Sequence, residues 1–210
     1  MSTPPESMRN HWWWRPGWKT GRRFYTWHLT FGGQDDVHRL AAEYRTALAP
    51  LGPDSFTLIP DQWLHLTMQG VGFVDETDAE TVDAIVTAAR HRLAGIAAFD
   101  VTLGPDAVVD QEAILLPAQP AEPVHAVRDA IRAAIGDVVE EVPEQADGFR
   151  PHVSVAYSAA AGPADPVVHA LARSTFTSAR ARITSAELIV LGRDSQMYEW
   201  TSYATVPLGE

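Results

Sequence analysis

The chain contains no cysteine, which excludes a disulfide framework and any zinc site built on thiolates. It has no apolar run of about 18 residues, the length that a membrane-spanning helix needs. The opening segment, Met1 to Asn10, is polar with two prolines and lacks the apolar centre of a secretory signal, so a cytoplasmic protein with no membrane partner is expected. Basic residues are scarce: 16 Lys and Arg stand against 27 Asp and Glu, a net charge of −11. Non-specific binding to long nucleic acid rests on many phosphate-neutralising cations, and this balance argues against such a track. A local phosphate pocket remains open, because Arg9, Arg15, Lys19, Arg22 and Arg23 cluster ahead of the first strand. No His-x-x-x-His pair or acidic cluster has metal-ligand spacing, so no metal and no cofactor are expected.

What is present suits one soluble folded unit, expected as a monomer: 210 residues, 46% hydrophobic and 20% charged. Periodicity predicts strands at Phe24–Phe31, Phe56–Ile59, Trp63–Gln69, Phe99–Leu103, Ala113–Leu116, Arg150–Tyr157, Ala186–Leu191 and Tyr198–Val206. It predicts helices at Asp35–Ala49, Thr77–Leu93, Ala121–Ile135 and Asp165–Ala172, with Pro50 and Gly52 ending the first. In the first strand Tyr25, Trp27, Leu29 and Phe31 form an apolar face, and Thr26, His28 and Thr30 face the other way, as in a half-buried strand. Residues 1–23 read as a basic, Trp-rich N-terminal segment ahead of a single unit over 24–210.

The order strand, helix, strand, helix, strand occurs twice, once over Phe24–Leu103 and again over Ala113–Leu191. The third element of each half carries one pattern: His65-Leu66-Thr67-Met68 and His152-Val153-Ser154-Val155. Each histidine lies about 40 residues after the start of its half and 34 before the closing strand. An α+β fold follows: two lobes, roughly 24–104 and 105–210 with strands free to exchange, related by a pseudo-twofold around a central cleft. On a strand, residues i and i+2 share a face, roughly 6 to 7 Å apart. Each motif would thus present an imidazole beside a hydroxyl, one pair on each wall.

The tetrapeptide alone is cheap, and His28-Leu29-Thr30 is a third occurrence. What singles out His65 and His152 is their equivalent position in the two halves. His28 is expected along the same cleft; the plainer reading is a structural histidine bonding a neighbouring backbone or hydroxyl group. Trp63 is expected on the face of His65, where it could stack on a base. For most of the run Trp12, Trp13, Trp14 and Trp18, the plainer role of covering the core or a sheet edge is expected.

At these residues the chain resembles the 2H phosphoesterase superfamily, and within it the 2′-5′ RNA ligase group that includes RNA 2′,3′-cyclic phosphodiesterases. The resemblance spans about Phe24 to Leu208, and Pro60, Trp63 and Pro151 around the motifs fit it. It implies that His65 and His152 are the catalytic pair and that Thr67 and Ser154 bind the phosphate. It implies hydrolysis of a 2′,3′-cyclic phosphate on a nucleotide or RNA terminus to a 2′-phosphate. Many members carry an arginine five residues after the second histidine, where this chain has Tyr157. Arg150, which shares the motif face, is the alternative basic group, so Arg150, Tyr157, Trp63 and His28 are candidate substrate contacts. A 2′-5′ phosphodiester hydrolase or ligase, and a noncatalytic nucleotide or RNA-end binder, are the competing readings.

Overall fold

A computed structural model describes residues 3–209. The first strand of the repeat, β2 (Phe24–Thr30), follows a short N-terminal strand, β1 (Ser7–Met8). Helix α1 (Asp35–Leu48), β3 (Phe56–Leu58), the motif strand β4 (His65–Phe73), α2 (Ala79–Leu93) and β5 (Phe99–Leu103) complete the first half. The second half holds β6 (Val108–Val109), β7 (Ala113–Gln119), α3 (Glu122–Gly136), the motif strand β8 (His152–Ser158), β9 (Gly162–Pro163) and α4 (Asp165–Ala172). Strands β10 (Ala179–Ile183), β11 (Ser185–Gly192) and β12 (Glu199–Pro207) close the chain.

The fold is α+β, with two large antiparallel sheets and a two-stranded one, β1-β9, and the halves are interlaced. One sheet runs β12-β11-β2-β4; the other runs β10-β5-β7-β8-β3, with β6 also on β7. Each half therefore gives its closing strand to the other's sheet: β5 pairs with β7, and β11 with β2. The helices cross over in the same way. Helix α3 packs on β4, whereas α1 packs on β8, β3 and β10. The boundary near residue 104 thus divides the sequence but not the sheets. Buried side chains from both sheets join in one cluster, with Trp27, Leu29, Leu66 and Met68 beside Leu116, Val153 and Val155.

Helix α3 shows why the elements form where they do. Pro123 sits in its first turn, where the missing N–H costs nothing, and Val124, Val127, Ile131, Ala134 and Ile135 make the buried stripe. Helix α2 is capped by Asp78, whose carboxylate accepts from the Thr81 backbone N–H at 2.8 Å. Strand β10, in contrast, is not among the predicted strands, although its sequence alternates. Its Ala-Arg-Ala-Arg-Ile alternation buries only Ala179, Ala181 and Ile183, while Arg180 and Arg182 reach back to Asp100 of β5.

Strand β2 is buried on both faces rather than half-buried: Thr26 and His28 are as enclosed as Tyr25, Trp27 and Leu29. It lies between β11 and β4, and its polar face forms the floor of the cleft.

The pseudo-twofold extends to single residues. His65 lies opposite Thr30 and Thr67 opposite His28 on β2; His152 lies opposite Pro117 and Ser154 opposite Leu115 on β7. Immediately after each hydroxyl the register shifts by one, leaving Met68 on β4 and Val155 on β8 without a partner. A bulge of this kind reverses the in-out alternation beyond it. Beyond the first, Gln69, which unbroken alternation would place on the face of His65 and Thr67, turns into the interior, where its amide bonds the Pro143 carbonyl at 2.6 Å. Beyond the second, Tyr157, which unbroken alternation would place with Val153 and Val155 on the core face, turns to the cleft.

Candidate active site

The two motif strands touch along the seam between the sheets, and both open onto one cavity of about 680 Å³. His65, Thr67, His152 and Ser154 line it together, with His28, Arg150 and Tyr157. The larger hollow of about 920 Å³, between α1 and α4, contains none of these residues.

The motif histidines are held identically. His65 Nδ1–H donates to the Trp63 carbonyl at 2.8 Å, and His152 Nδ1–H donates to the Arg150 carbonyl at 2.7 Å. A carbonyl can only accept, so each Nδ1 carries the hydrogen and each Nε2 is the titrating edge. The residue two positions back supplies the acceptor in both cases, which fixes tautomer and ring angle through the backbone alone.

Their surroundings differ. His65 is buried, and burial together with the nearby His152 lowers its pKa to about 4, against the raising effect of the Trp63 carbonyl. His152 is half-buried. Against His65 stacks His28, with ring centroids 4.3 Å apart and planes 5° apart. Burial, then His65, holds His28 well below the ordinary histidine range. His28 Nε2 lies 3.5 Å from Thr67 Oγ1, while its Nδ1 is buried without a partner. The tautomer that best suits this site puts the hydrogen on Nε2, which leaves the Thr67 hydroxyl hydrogen free to point into the cavity. His28 thus combines both expectations: it lines the cleft and it bonds a neighbouring hydroxyl.

Trp63 does not stand on the face of His65. It ends a 3₁₀ turn, Asp61–Trp63, so strand alternation begins only at His65. Its ring packs on Trp200 at 4.8 Å, away from the cavity, and its contribution is the carbonyl that holds His65. The basic N-terminal cluster also divides. Arg22 pairs with Asp75 at 2.8 Å and with Glu76, and Arg23 pairs with Asp194 at 2.8 Å. Only Arg15 of that group reaches the cavity. In the aromatic run Trp12 is buried and Trp13 and Trp14 are exposed at 49% and 50%, but Trp18 lines the cavity with Phe24.

Four lining residues had no signal strong enough to single them out: His11, Glu112, Arg128 and Tyr198. Tyr198 joins the N-terminal segment to the motif, since its hydroxyl lies 2.9 Å from His11 Nε2 and its ring is 6.1 Å from that of His65. Burial, then Arg15 and Arg193, lowers the pKa of His11 to about 3. Among the described residues no group of three or more His, Asp or Glu side chains is gathered as a metal would need, and no helix is long and apolar enough to cross a membrane.

These shifts have a stability consequence. His65 and His11 titrate lower folded than unfolded, where an imidazole takes a proton near 6.5. Between about pH 4 and 6.5 the unfolded chain binds more protons, so stability rises with pH there and falls on acidification. For His65 alone the full loss is on the order of 3 kcal/mol. Thermal melts should show Tm falling steadily from pH 6.5 to pH 4; a flat profile would contradict neutral burial of these rings.

Comparison with known proteins agrees with this geometry. The family model described as the 2′-5′ RNA ligase superfamily matches residues 33–195. Among solved structures, TT0787 of Thermus thermophilus is similar at 19% identity and a TM-score of 0.68, over 90% of this chain and 99% of that one. LigT of E. coli, complexed with 3′-AMP, is similar at 15% identity and a TM-score of 0.65 over the same shares. The MHV ns2 PDE domain is 14% identical with a TM-score of 0.51, over 81% of this chain and 99% of that one. No curated protein matches the sequence. With the family match covering most of the chain and the fold shared with these structures, the chain belongs to the 2′-5′ RNA ligase superfamily of 2H phosphoesterases.

Proposed function

We propose that the protein is a phosphodiesterase that opens 2′,3′-cyclic phosphates of small nucleotides or RNA termini, leaving a 2′-phosphate, with His65 and His152 as its acid–base pair. The observation that carries this reading is the matched presentation of two imidazoles, each Nδ1-anchored and each two residues from a hydroxyl, on one cavity. Binding of a small nucleotide is supported by LigT, whose structures include complexes with 3′-AMP, ATP and NADP+.

Burial distributes the roles. His65 is neutral at physiological pH, so its Nε2 has a lone pair with which to take a proton from the attacking water. The half-buried His152 then serves as the acid, giving its Nε2 proton to the departing ribose oxygen. As the water adds, charge accumulates on the non-bridging oxygens, where the Thr67 and Ser154 hydroxyls donate hydrogen bonds. Arg150 is exposed at the rim and engages the substrate there. Tyr157 walls the same end as Ser154.

The test is incubation with a 2′,3′-cyclic nucleotide and a 2′-5′-linked dinucleotide, each with and without EDTA, with chromatographic identification of products. Ring opening that persists under chelation supports the reading. Turnover of the linear substrate alone would favour the 2′-5′ hydrolase, and binding of both without turnover would favour a noncatalytic binder.

His28 is proposed as a positioning residue. Replacing it with leucine keeps a buried apolar side chain but removes the N–H that faces Thr67. The expected result is about a five- to tenfold loss in kcat/KM, the scale of one hydrogen bond. A loss as large as that from altering His65 would show that His28 reacts directly.

A further inference from the structure

The N-terminal segment stands outside the family match, which begins at residue 33, yet it is built into the fold. Strand β1 pairs with β9, Arg9 N–H bonds the Gln111 carbonyl at 2.7 Å, and His11 N–H bonds the Ser158 carbonyl at 2.9 Å. Trp12 Nε1–H donates to Thr57 Oγ1 at 3.0 Å, and the buried Arg193 donates to the carbonyls of His11 and Trp13, each at 3.2 Å. This fastened strip delivers His11, Arg15 and Trp18 to the wall of the catalytic cavity.

Arg15 is held there incompletely. Its Nη2 donates to Glu112 Oε2 at 2.8 Å, but its Nε is out of contact with water and has no acceptor. The Tyr198 hydroxyl lies beside the same guanidinium, and Arg15 as a whole is half-buried. A buried donor without an acceptor is unfavourable, and an arriving oxyanion would relieve that penalty. The other cations of the cavity are placed differently. Arg128 spends its guanidinium on three backbone carbonyls, and Arg150 is exposed at the rim. The lining acids, Asp110, Glu112 and Glu144, equal these arginines in number, so no general surplus of positive charge draws in a phosphate. Recognition therefore depends on a donor with free hydrogens at a fixed position.

We propose that Arg15 is a phosphate-binding residue of this cavity, carried in by the N-terminal segment and held ready by Glu112. The ligand class is a nucleotide phosphate, whose oxygens match the planar fork of a guanidinium. Glu112 has two effects. It orients Arg15, being itself fixed by Trp13 Nε1–H at 3.2 Å and lying 3.3 Å from His11 Nδ1, and it competes with the incoming anion. The inference rests on the proposed reading of the cavity as a nucleotide site, but its test needs no turnover.

Titration calorimetry with adenosine 2′-monophosphate and with inorganic phosphate separates the possibilities, using the full chain at neutral pH and far-UV circular dichroism to confirm folding. Arg15→Ala should weaken binding of both probes tenfold or more, the scale of one charge-assisted hydrogen bond or two, and Arg15→Lys should lie between. Glu112→Gln should tighten binding several-fold, because the competing carboxylate is gone while a bonding side chain remains. If the pair only clamps the segment, Glu112→Gln and Arg15→Ala would weaken binding alike, and that result overturns the proposal. Undiminished binding by Arg15→Ala overturns it too, while leaving the cyclic phosphodiesterase reading intact. Failure of the unaltered protein to bind either probe would overturn the assignment of Arg15, while the turnover assay decides the cyclic phosphodiesterase reading separately.

Discussion

Replacing either His65 or His152 with alanine should lower turnover of a 2′,3′-cyclic nucleotide by about 10²- to 10⁴-fold, the usual contribution of a positioned acid or base. Replacing both should cost little more than the worse single change, because base and acid act in one displacement and the loss of either disables it. The pH profile distinguishes the two roles. The buried His65 must be neutral to accept a proton, so the acid limb of kcat/KM should fall near its pKa of about 4. That limb should be absent from whatever activity survives in His65→Ala and present in that of His152→Ala. Full activity in either single variant would remove the histidine from the mechanism. Steady-state kinetics from pH 4 to pH 9 makes the measurement.

That this pair could be found in the sequence is a matter of periodicity. Alternation in β4 and β8 and the 3.6-residue stripes of α1, α2 and α3 are strong local signals, and their order repeats. The repeat, rather than the tetrapeptide, separated His65 and His152 from His28. The interlacing of sheets was not legible, because strand pairing is a long-range choice and β11 shows no local sign of belonging with β2. The bulges at Met68 and Val155 were equally silent, and a slip of a single residue sent Gln69 inward and Tyr157 to the cleft. Trp63 departs from alternation for a related reason: the 3₁₀ turn Asp61–Trp63 breaks the strand pattern before His65. The Trp-rich strip has no periodicity, so only its packing against Ser158, Thr57 and Arg193 reveals it as cavity wall.

Arg128 did leave a trace. It falls within the 124-127-128-131-135 stripe of α3, where a charge has to find partners or stay out of the core. Its partners tie the two motifs together. Nε donates to the carbonyl of Met68, the bulged residue directly after Thr67, at 2.9 Å. Nη1 and Nη2 donate to the carbonyls of Ala146 and Gln145 at 2.7 and 2.9 Å, in the loop leading to His152. The guanidinium also lies over the Phe149 ring at 4.5 Å. Arg128→Met keeps most of the buried volume and removes every donor. Three carbonyls then lose charge-assisted bonds, each about 1.5–3 kcal/mol. Water can rehydrate the loop carbonyls more readily than the one on β4, so the expected net destabilisation is about 3 kcal/mol rather than the full sum. Urea unfolding should show a lower midpoint with an unchanged slope. Because the same bonds set the spacing of the two histidine walls, activity should fall even under conditions where the variant stays folded, with kcat falling more than KM rises. A stable variant with normal kcat would mean that the loop and the β4 bulge hold their places without Arg128, and that the two walls are aligned by the shared core alone.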